Sequence, residues 1–406
     1  MSDPKRLAAQ LQLILEGEGG LPGAQAVPTP WSDGGPDYLA RRGVLLTRDR
    51  DAERVREVLG GNAAPVGDSD RRSGADGLTV LPFTGFDDVE AACRFVDERL
   101  GVGVATPDHV LYLVPTGSYC PATEPEPVHV PTRPYPEPPR SALVGAGVKI
   151  AILDSGLVDE ANTGPHDWLT GVIGDPEDPF LPGTTELSSY ASHGLFSAGV
   201  ARTMAPGADV YVYRAFDHHG AVYENYLAAT LARALADAPD IISLSFGTHS
   251  RLDIPLLGID AVLPLLGGSA STVMVAAAGN DSSAQPFWPA AYRDIVGVGA
   301  LGRNWDSRAW FTNHGQWVDV YAPGEDLVNA FASGPFTCLE PPDAGQVRTF
   351  DGMARWSGTS FATPMVAGMI AARMSTTGED ARHAATGLLH EARSQAVLGV
   401  GPILTP

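Results

Sequence analysis

The chain carries two kinds of apolar pattern. In its first third, short apolar runs alternate with helical periods. "RGVLLTR" from Arg42 predicts a strand, and "DRDAERVREVLGG" then sets Ala52, Val55, Val58 and Leu59 at helical spacing, with Gly60 as a stop. The pattern recurs in "GLTVLPF", a strand, and "DDVEAACRFVDERLG", a helix with Val89, Ala92, Phe95, Val96 and Leu100 on one face. "DHVLYLVP" closes it as a further strand. Beyond Ser141 the runs change character. "VKIAILDSG", "ADVYVYRAF", "DIISLSFG", "TVMVAAAGN" and "DIVGVGAL" are dense in Val, Ile and Ala without polar alternation, as strands buried on both faces of a parallel sheet must be. Between them "ENYLAATLARALADA" has a helical period, and "IPLLGIDAVLPLLGG" reads as a helix interrupted by proline and glycine.

Two strand–helix units with a closing strand imply a small ferredoxin-like α+β domain over residues 38–115, preceded by an extension, residues 1–37. Residues 116–140 follow, and the prolines at 121, 125, 127, 131, 134, 136, 138 and 139 lock φ and remove backbone donors. This predicts an extended, semi-rigid linker, read as a spacer in preference to a proline-motif ligand. Residues 141–406 then read as a doubly wound α/β domain with a parallel sheet, whose sites lie at the carboxyl edges of its strands.

Composition narrows the function. The 406 residues are 44% hydrophobic, and neither a secretion signal nor a membrane span is read from them, which predicts a cytoplasmic protein. Three widely spaced cysteines, Cys93, Cys120 and Cys338, fit reduced thiols better than a disulfide framework, and none has metal-ligand spacing. A net charge of -21 argues against nucleic acid as a partner, because an acidic surface repels phosphate. Lys5 and Lys149 are the only lysines, and with abundant Ala, Gly and Pro this associates the chain with a high-GC bacterial genome.

The polar residues at strand ends are the chemical candidates. Asp154 closes "VKIAILDSG", His193 stands in "SSYASHGLFSAGVAR", and Asn280 ends "VMVAAAGN"; taken singly, each reads equally as a cap, a packing residue or a turn. "WSGTSFATPMVAG" adds several hydroxyls and Pro364. Proline is tolerated in the first helical turn, so it is expected to pin the helix start near Ser360, where free N–H groups favour developing negative charge. Ser357, Thr359 and Thr363 lack that placement or are bulkier alcohols. Together the residues fit a nucleophile, Ser360, a base, His193, and a carboxylate to orient the base, Asp154, with the Asn280 amide placed to stabilise an oxyanion.

From about Val148 to Met374 the chain resembles the subtilisin-like serine proteases of the subtilase family. "ILDSG" resembles the aspartate motif, "SHG" the histidine motif, "AAAGN" the oxyanion motif and "GTSFATPMVAG" the serine motif, with "MAPGADVYVYR", "IVGVGA" and "FTNHGQWVDVYAPG" in support. The resemblance implies a serine endopeptidase acting on peptide or protein substrates, with Asp154, His193 and Ser360 as triad, Asn280 in the oxyanion hole, and Ser245, Phe246 and Gly247 lining the substrate strand. It implies no required cofactor. The acidic "GDPEDPF" reads as a solvated loop, with structural calcium as the alternative. The family's Gly-Thr and small apolar residue after the histidine are replaced at Leu195, Phe196 and Ser197, so packing around the imidazole is expected to differ. The rival reading is a catalytically silent peptide-binding scaffold. The resemblance also implies an amino-terminal prodomain that reaches the cleft and acts as an intramolecular partner. Autoprocessing is then expected between Pro115 and Arg140, retention without cleavage being the alternative.

Overall fold

The computed structural model describes residues 14–15, 21–27, 38–65, 75–113, 123–128, 133–158, 166–267, 272–340 and 342–406. Its amino-terminal unit contains β1 (Ala24–Val27), β2 (Tyr38–Arg48), α1 (Ala52–Leu59), β3 (Leu78–Pro82), α2 (Val89–Leu100) and β4 (Ala105–Tyr112). β1, β3 and β4 each pair antiparallel with β2, and an isolated bridge between Ala63 and Phe83 extends the β3 edge. Asp88 starts α2 by accepting the Ala91 N–H at 2.7 Å, and Gly101, at φ 101°, ends it. The expected apolar faces bury Val55 and Leu59 of α1, and Val89, Ala92 and Val96 of α2, against Leu45 and Leu81 of the sheet. Phe95 is half-buried instead, its ring covered by the Arg99 guanidinium at 3.6 Å.

The proline-rich stretch is bound along its described length. β5 (Glu126–Pro127) pairs antiparallel with Arg355 and Ala354, and Tyr135 bridges Val328. Trp356 Nε1 donates to Thr123 O at 2.6 Å. Proline does keep this segment extended, but its carbonyls serve as acceptors for the large unit, so it is not a free spacer.

In the large unit, β6 (Lys149–Asp154), β7 (Ile173–Gly174), β8 (Asp209–Arg214), β10 (Ile241–Leu244), β11 (Val273–Ala277), β12 (Val296–Leu301) and β13 (Val320–Pro323) form a parallel sheet ordered β13-β12-β11-β10-β6-β8-β7. Ile150, Ile152, Val210, Val212 and Val275 face the first core, against α3 (His193–Met204) and α6 (Thr359–Thr377). Ala151, Leu153, Ile242, Leu244 and Met274 face the second, against α4 (Glu224–Ala236) and α5 (Leu257–Val262). Both faces are covered, which is why the strands lack polar alternation. Two antiparallel pairs, β14 (Leu327–Ala330) with β17 (Met353–Trp356) and β15 (Gly334–Thr337) with β16 (Val347–Phe350), lie outside this sheet, and α7 (Ala381–Ser394) packs on the first core.

β9 (Ala221–Tyr223) joins the units: it pairs antiparallel with β4, Val110 to Tyr223 and Tyr112 to Ala221. Among the described residues no helix is long and apolar enough to cross a membrane. Cys93 and Cys338 are free and buried, and Cys120 lies outside the described residues.

Candidate active site

The sheet register brings the candidates together. Leu153 of β6 pairs with Leu244 of β10, which pairs with Ala276 of β11, so the three strands end level. Asp154 is the last residue of β6, Ser245, Phe246 and Gly247 continue from β10, and Asn280 follows β11 after Gly279 at φ 91°. His193 is the first residue of α3 and Ser360 the second of α6. These helices cross closely, for a Cβ on Gly368 of α6 would lie 2.4 Å from Ala201 O of α3, and α3 starts close to the turn after β6, where a Cβ on Gly194 would lie 2.2 Å from Gly156 O. Glycine at both positions is what lets the two helix starts reach the strand ends.

Asp154, His193, Ser360 and Asn280 are fully buried. Asp154 Oδ1 lies 2.6 Å from His193 Nδ1 and accepts the Ser155 N–H at 2.8 Å, while Oδ2 accepts the Ser197 hydroxyl at 3.1 Å. A carboxylate held on both oxygens fixes the imidazole with the proton on Nδ1 and the lone pair on Nε2. His193 Nε2 accepts no hydrogen bond among the described residues; the Ser360 hydroxyl donates to Ser245 O at 3.1 Å instead. Asn280 Oδ1 accepts both the N–H and the hydroxyl of Thr359, each at 2.9 Å, which orients the amide beside the start of α6.

Pro364 sits differently from expectation. α6 does start beside Ser360, at Thr359, but Pro364 is in its second turn. A residue there would ordinarily donate to the carbonyl four residues back, that of Ser360. Proline cannot, and the freed Ser360 carbonyl accepts the Ser245 hydroxyl at 2.9 Å. Ser245 and Ser360 thus hold each other through two hydrogen bonds, which ties the substrate-strand segment to the helix start.

The altered residues after His193 are accommodated by aromatic packing. Phe196 packs on Phe361 with ring centroids 4.5 Å apart and tilted, Phe361 lies 5.1 Å from the His193 ring, and Trp356 meets that ring edge-on at 5.5 Å. Leu195 points into the first core. Ser197 is one helical turn beyond His193, a spacing that puts both on one face and would have flagged it as an Asp154 partner.

The acidic run is only partly solvated: Asp178 is exposed, whereas Asp175 and Glu177 are engaged by neighbours. Asp175 accepts the Arg214 N–H and the Tyr211 hydroxyl, each at 2.9 Å, and pairs with Arg233. Glu177 accepts the Ser192 N–H at 2.7 Å and the Ser155 hydroxyl at 2.9 Å, so it braces the turns that carry His193 and Asp154. Burial pushes the Glu177 carboxyl up to about 8, against these two hydrogen bonds, and the Asp154 charge adds to the rise. Ser192, at φ 60°, is a left-handed non-glycine residue secured on both sides, its hydroxyl accepting the Ala332 N–H at 2.9 Å.

The segment after β10 already binds a chain. Gly247 exchanges two backbone hydrogen bonds with Tyr112, at 3.1 and 3.2 Å, and the Leu113 N–H donates to Gly220 O at 2.7 Å. Residues 110–113 therefore lie as an extra strand between β9 and the Ser245–Gly247 segment. Phe246 points into the second core against Phe216, at 5.0 Å between ring centroids.

The subtilase family profile, Peptidase_S8, matches residues 145–397, and the chain belongs to that family. A thermophilic serine proteinase of Bacillus sp. (strain AK1) is 29% identical over 236 residues, 56% of this chain and 52% of that protein. Thermitase of Thermoactinomyces vulgaris is 28% identical over 58% of this chain and 78% of its own length. The chain spans about half the length of the first of these relatives. Among solved structures, fervidolysin from Fervidobacterium pennivorans, described as a keratinolytic enzyme related to subtilisin, superposes with a TM-score of 0.58 at 17% identity, covering 90% of this chain and 60% of that one. That similarity is one of fold, and it supports the subtilisin-like α/β architecture.

Proposed function

We propose that the chain is a serine endopeptidase. Ser360 attacks the peptide carbonyl carbon while His193 Nε2 takes its proton, and Asp154 holds the imidazolium that forms. The oxyanion is received by Asn280 Nδ2 and the backbone N–H groups at the start of α6. Collapse of the adduct breaks the C–N bond as His193 returns the proton to the leaving amine. Water, activated by the same imidazole, then releases the acyl group and restores Ser360. Ser245, Phe246 and Gly247 bind the substrate by strand addition, which reads the backbone and suits peptide or protein chains.

One observation carries the reading: a buried Asp154–His193 pair, 2.6 Å apart, stands at a groove whose edge already holds an extended peptide strand. The amino-terminal unit is proposed to be a ferredoxin-like prodomain that supplies this strand and regulates the site. Its β2-α1-β3-α2-β4 order and its docking through Tyr112 support this. The unpaired buried Cys93 and Cys338 support a reducing, cytoplasmic setting.

Hydrolysis of an unstructured protein substrate by wild type and by Ser360→Ala tests the proposal. The expected result is turnover in wild type and a loss of at least about a thousandfold in the variant. Equal residual activity in the two would leave the silent-scaffold reading standing.

A further inference from the structure

The turn after β8 reads Asp217, His218, His219, Gly220. Asp217 Oδ1 accepts the His219 N–H at 3.1 Å and its carbonyl accepts the Gly220 N–H at 2.9 Å, with Gly220 at φ 63°. This folds three consecutive side chains onto one side. Their ligand atoms lie within 4.8 Å of one another, Asp217 Oδ2 being 3.8 Å from His219 Nε2. The two imidazoles are packed with centroids 3.7 Å apart. His219 is 4% exposed, and His218 Nε2 is buried without a hydrogen-bond partner among the described residues. An imidazole nitrogen buried with no partner is costly, and here it stands in a group whose three ligand atoms are close enough to share one ion.

We propose that Asp217, His218 and His219 form a binding site for a divalent transition-metal ion of the zinc class. Two imidazole nitrogens and a carboxylate oxygen are a donor set that zinc accepts, with a fourth position left for water. Donors around a tetrahedral ion with bonds of about 2.05 Å stand about 3.4 Å apart, so side-chain rotations on the order of an ångström close the set. The acidic surface, with net charge -21, favours cation approach.

The position gives the ion a consequence. Gly220 O receives the Leu113 N–H, and the next three residues form β9. An ion on this turn stiffens the wall that grips the peptide strand. That consequence rests on the groove reading above, whereas binding of the ion does not.

Zn2+ titration of the full chain against a chromophoric chelator tests the site. The expected result is one ion per chain at a Kd of about 10 µM or tighter. Affinity should fall at least about thirtyfold in His218→Gln/His219→Gln and about tenfold in Asp217→Asn. Co2+ in place of Zn2+ should give visible bands in wild type that the double variant lacks. Should circular dichroism report the double variant unfolded, Asp217→Asn and His218→Gln alone decide. No saturable binding below about 100 µM, or equal binding in wild type and folded variants, overturns the proposal.

Discussion

Removing the hydroxyl at position 197 tests how firmly Asp154 is held. Ser197→Ala leaves one buried carboxylate oxygen without its donor, a loss of about 1.5–3 kcal/mol for a charged hydrogen bond, or roughly ten- to a hundredfold. The expected effect is a kcat lowered by that factor with KM within about twofold, read from steady-state kinetics. Glu177 gives a pH signature. Its carboxyl is raised from the usual 4.5 to about 8, so the folded state holds a proton that the unfolded chain releases across that window. Stability therefore falls as pH rises from about 4.5 to about 8. Glu177→Gln keeps the shape without the titration, so its melting temperature should gain on wild type between pH 5 and pH 9; a constant difference would contradict this. At this scale the sequence singled out Asp154, His193, Asn280 and Ser360 as candidates, because each sits in a motif at a strand end or helix start, and the structure brings them to one end of the sheet. It did not disclose the purpose of Pro364, since that depends on which carbonyl lies four residues back and what else can reach it. Thr359, passed over as a nucleophile, orients Asn280, a contact between segments 79 residues apart that no local pattern encodes.

Between elements, the contact that matters most joins the turn after β10 to α2. The Arg251 guanidinium, 2% exposed, makes two hydrogen bonds to Glu90 at 2.7 and 3.0 Å and one to Asp97 at 2.7 Å. Nearby, His109 of β4 meets Glu224, the first residue of α4, at 2.7 Å, and Asp108 accepts the Asn225 N–H at 3.1 Å. Truncating one partner of a buried charge pair costs about 3–5 kcal/mol, because the others stay buried without it. Arg251→Ala should therefore loosen the amino-terminal unit and raise the rate at which the full chain reacts with an active-site probe. An unchanged or slower rate would show that this contact does not hold the strand in the groove. α1, α2 and α4 were legible from their helical period and the central strands from unbroken apolar runs. β5 was not, because proline removes the donors by which a strand is usually recognised while leaving carbonyls that a neighbour can use.

At the scale of the whole molecule, the amino-terminal strand and the proposed catalytic groups occupy one buried site. The interval expected for autoprocessing, from Pro115 to Arg140, includes residues 115–122 and 129–132, which lie outside the described residues. Within the rest of it, Thr123, Glu126, Pro127 and Tyr135 are hydrogen-bonded or paired to the large unit, so a cut is expected between residues 115 and 123. Intact-mass analysis of the purified protein should find that boundary, and a terminus within residues 133–140 would contradict it. The central claim, that Ser360 is a nucleophile activated by His193, is tested most directly by a fluorophosphonate probe followed by peptide mapping. The account predicts one adduct per chain, on Ser360, abolished by Ser360→Ala and strongly slowed by His193→Ala. Absence of any adduct after the amino-terminal strand has been displaced, or an adduct on another serine, would contradict it.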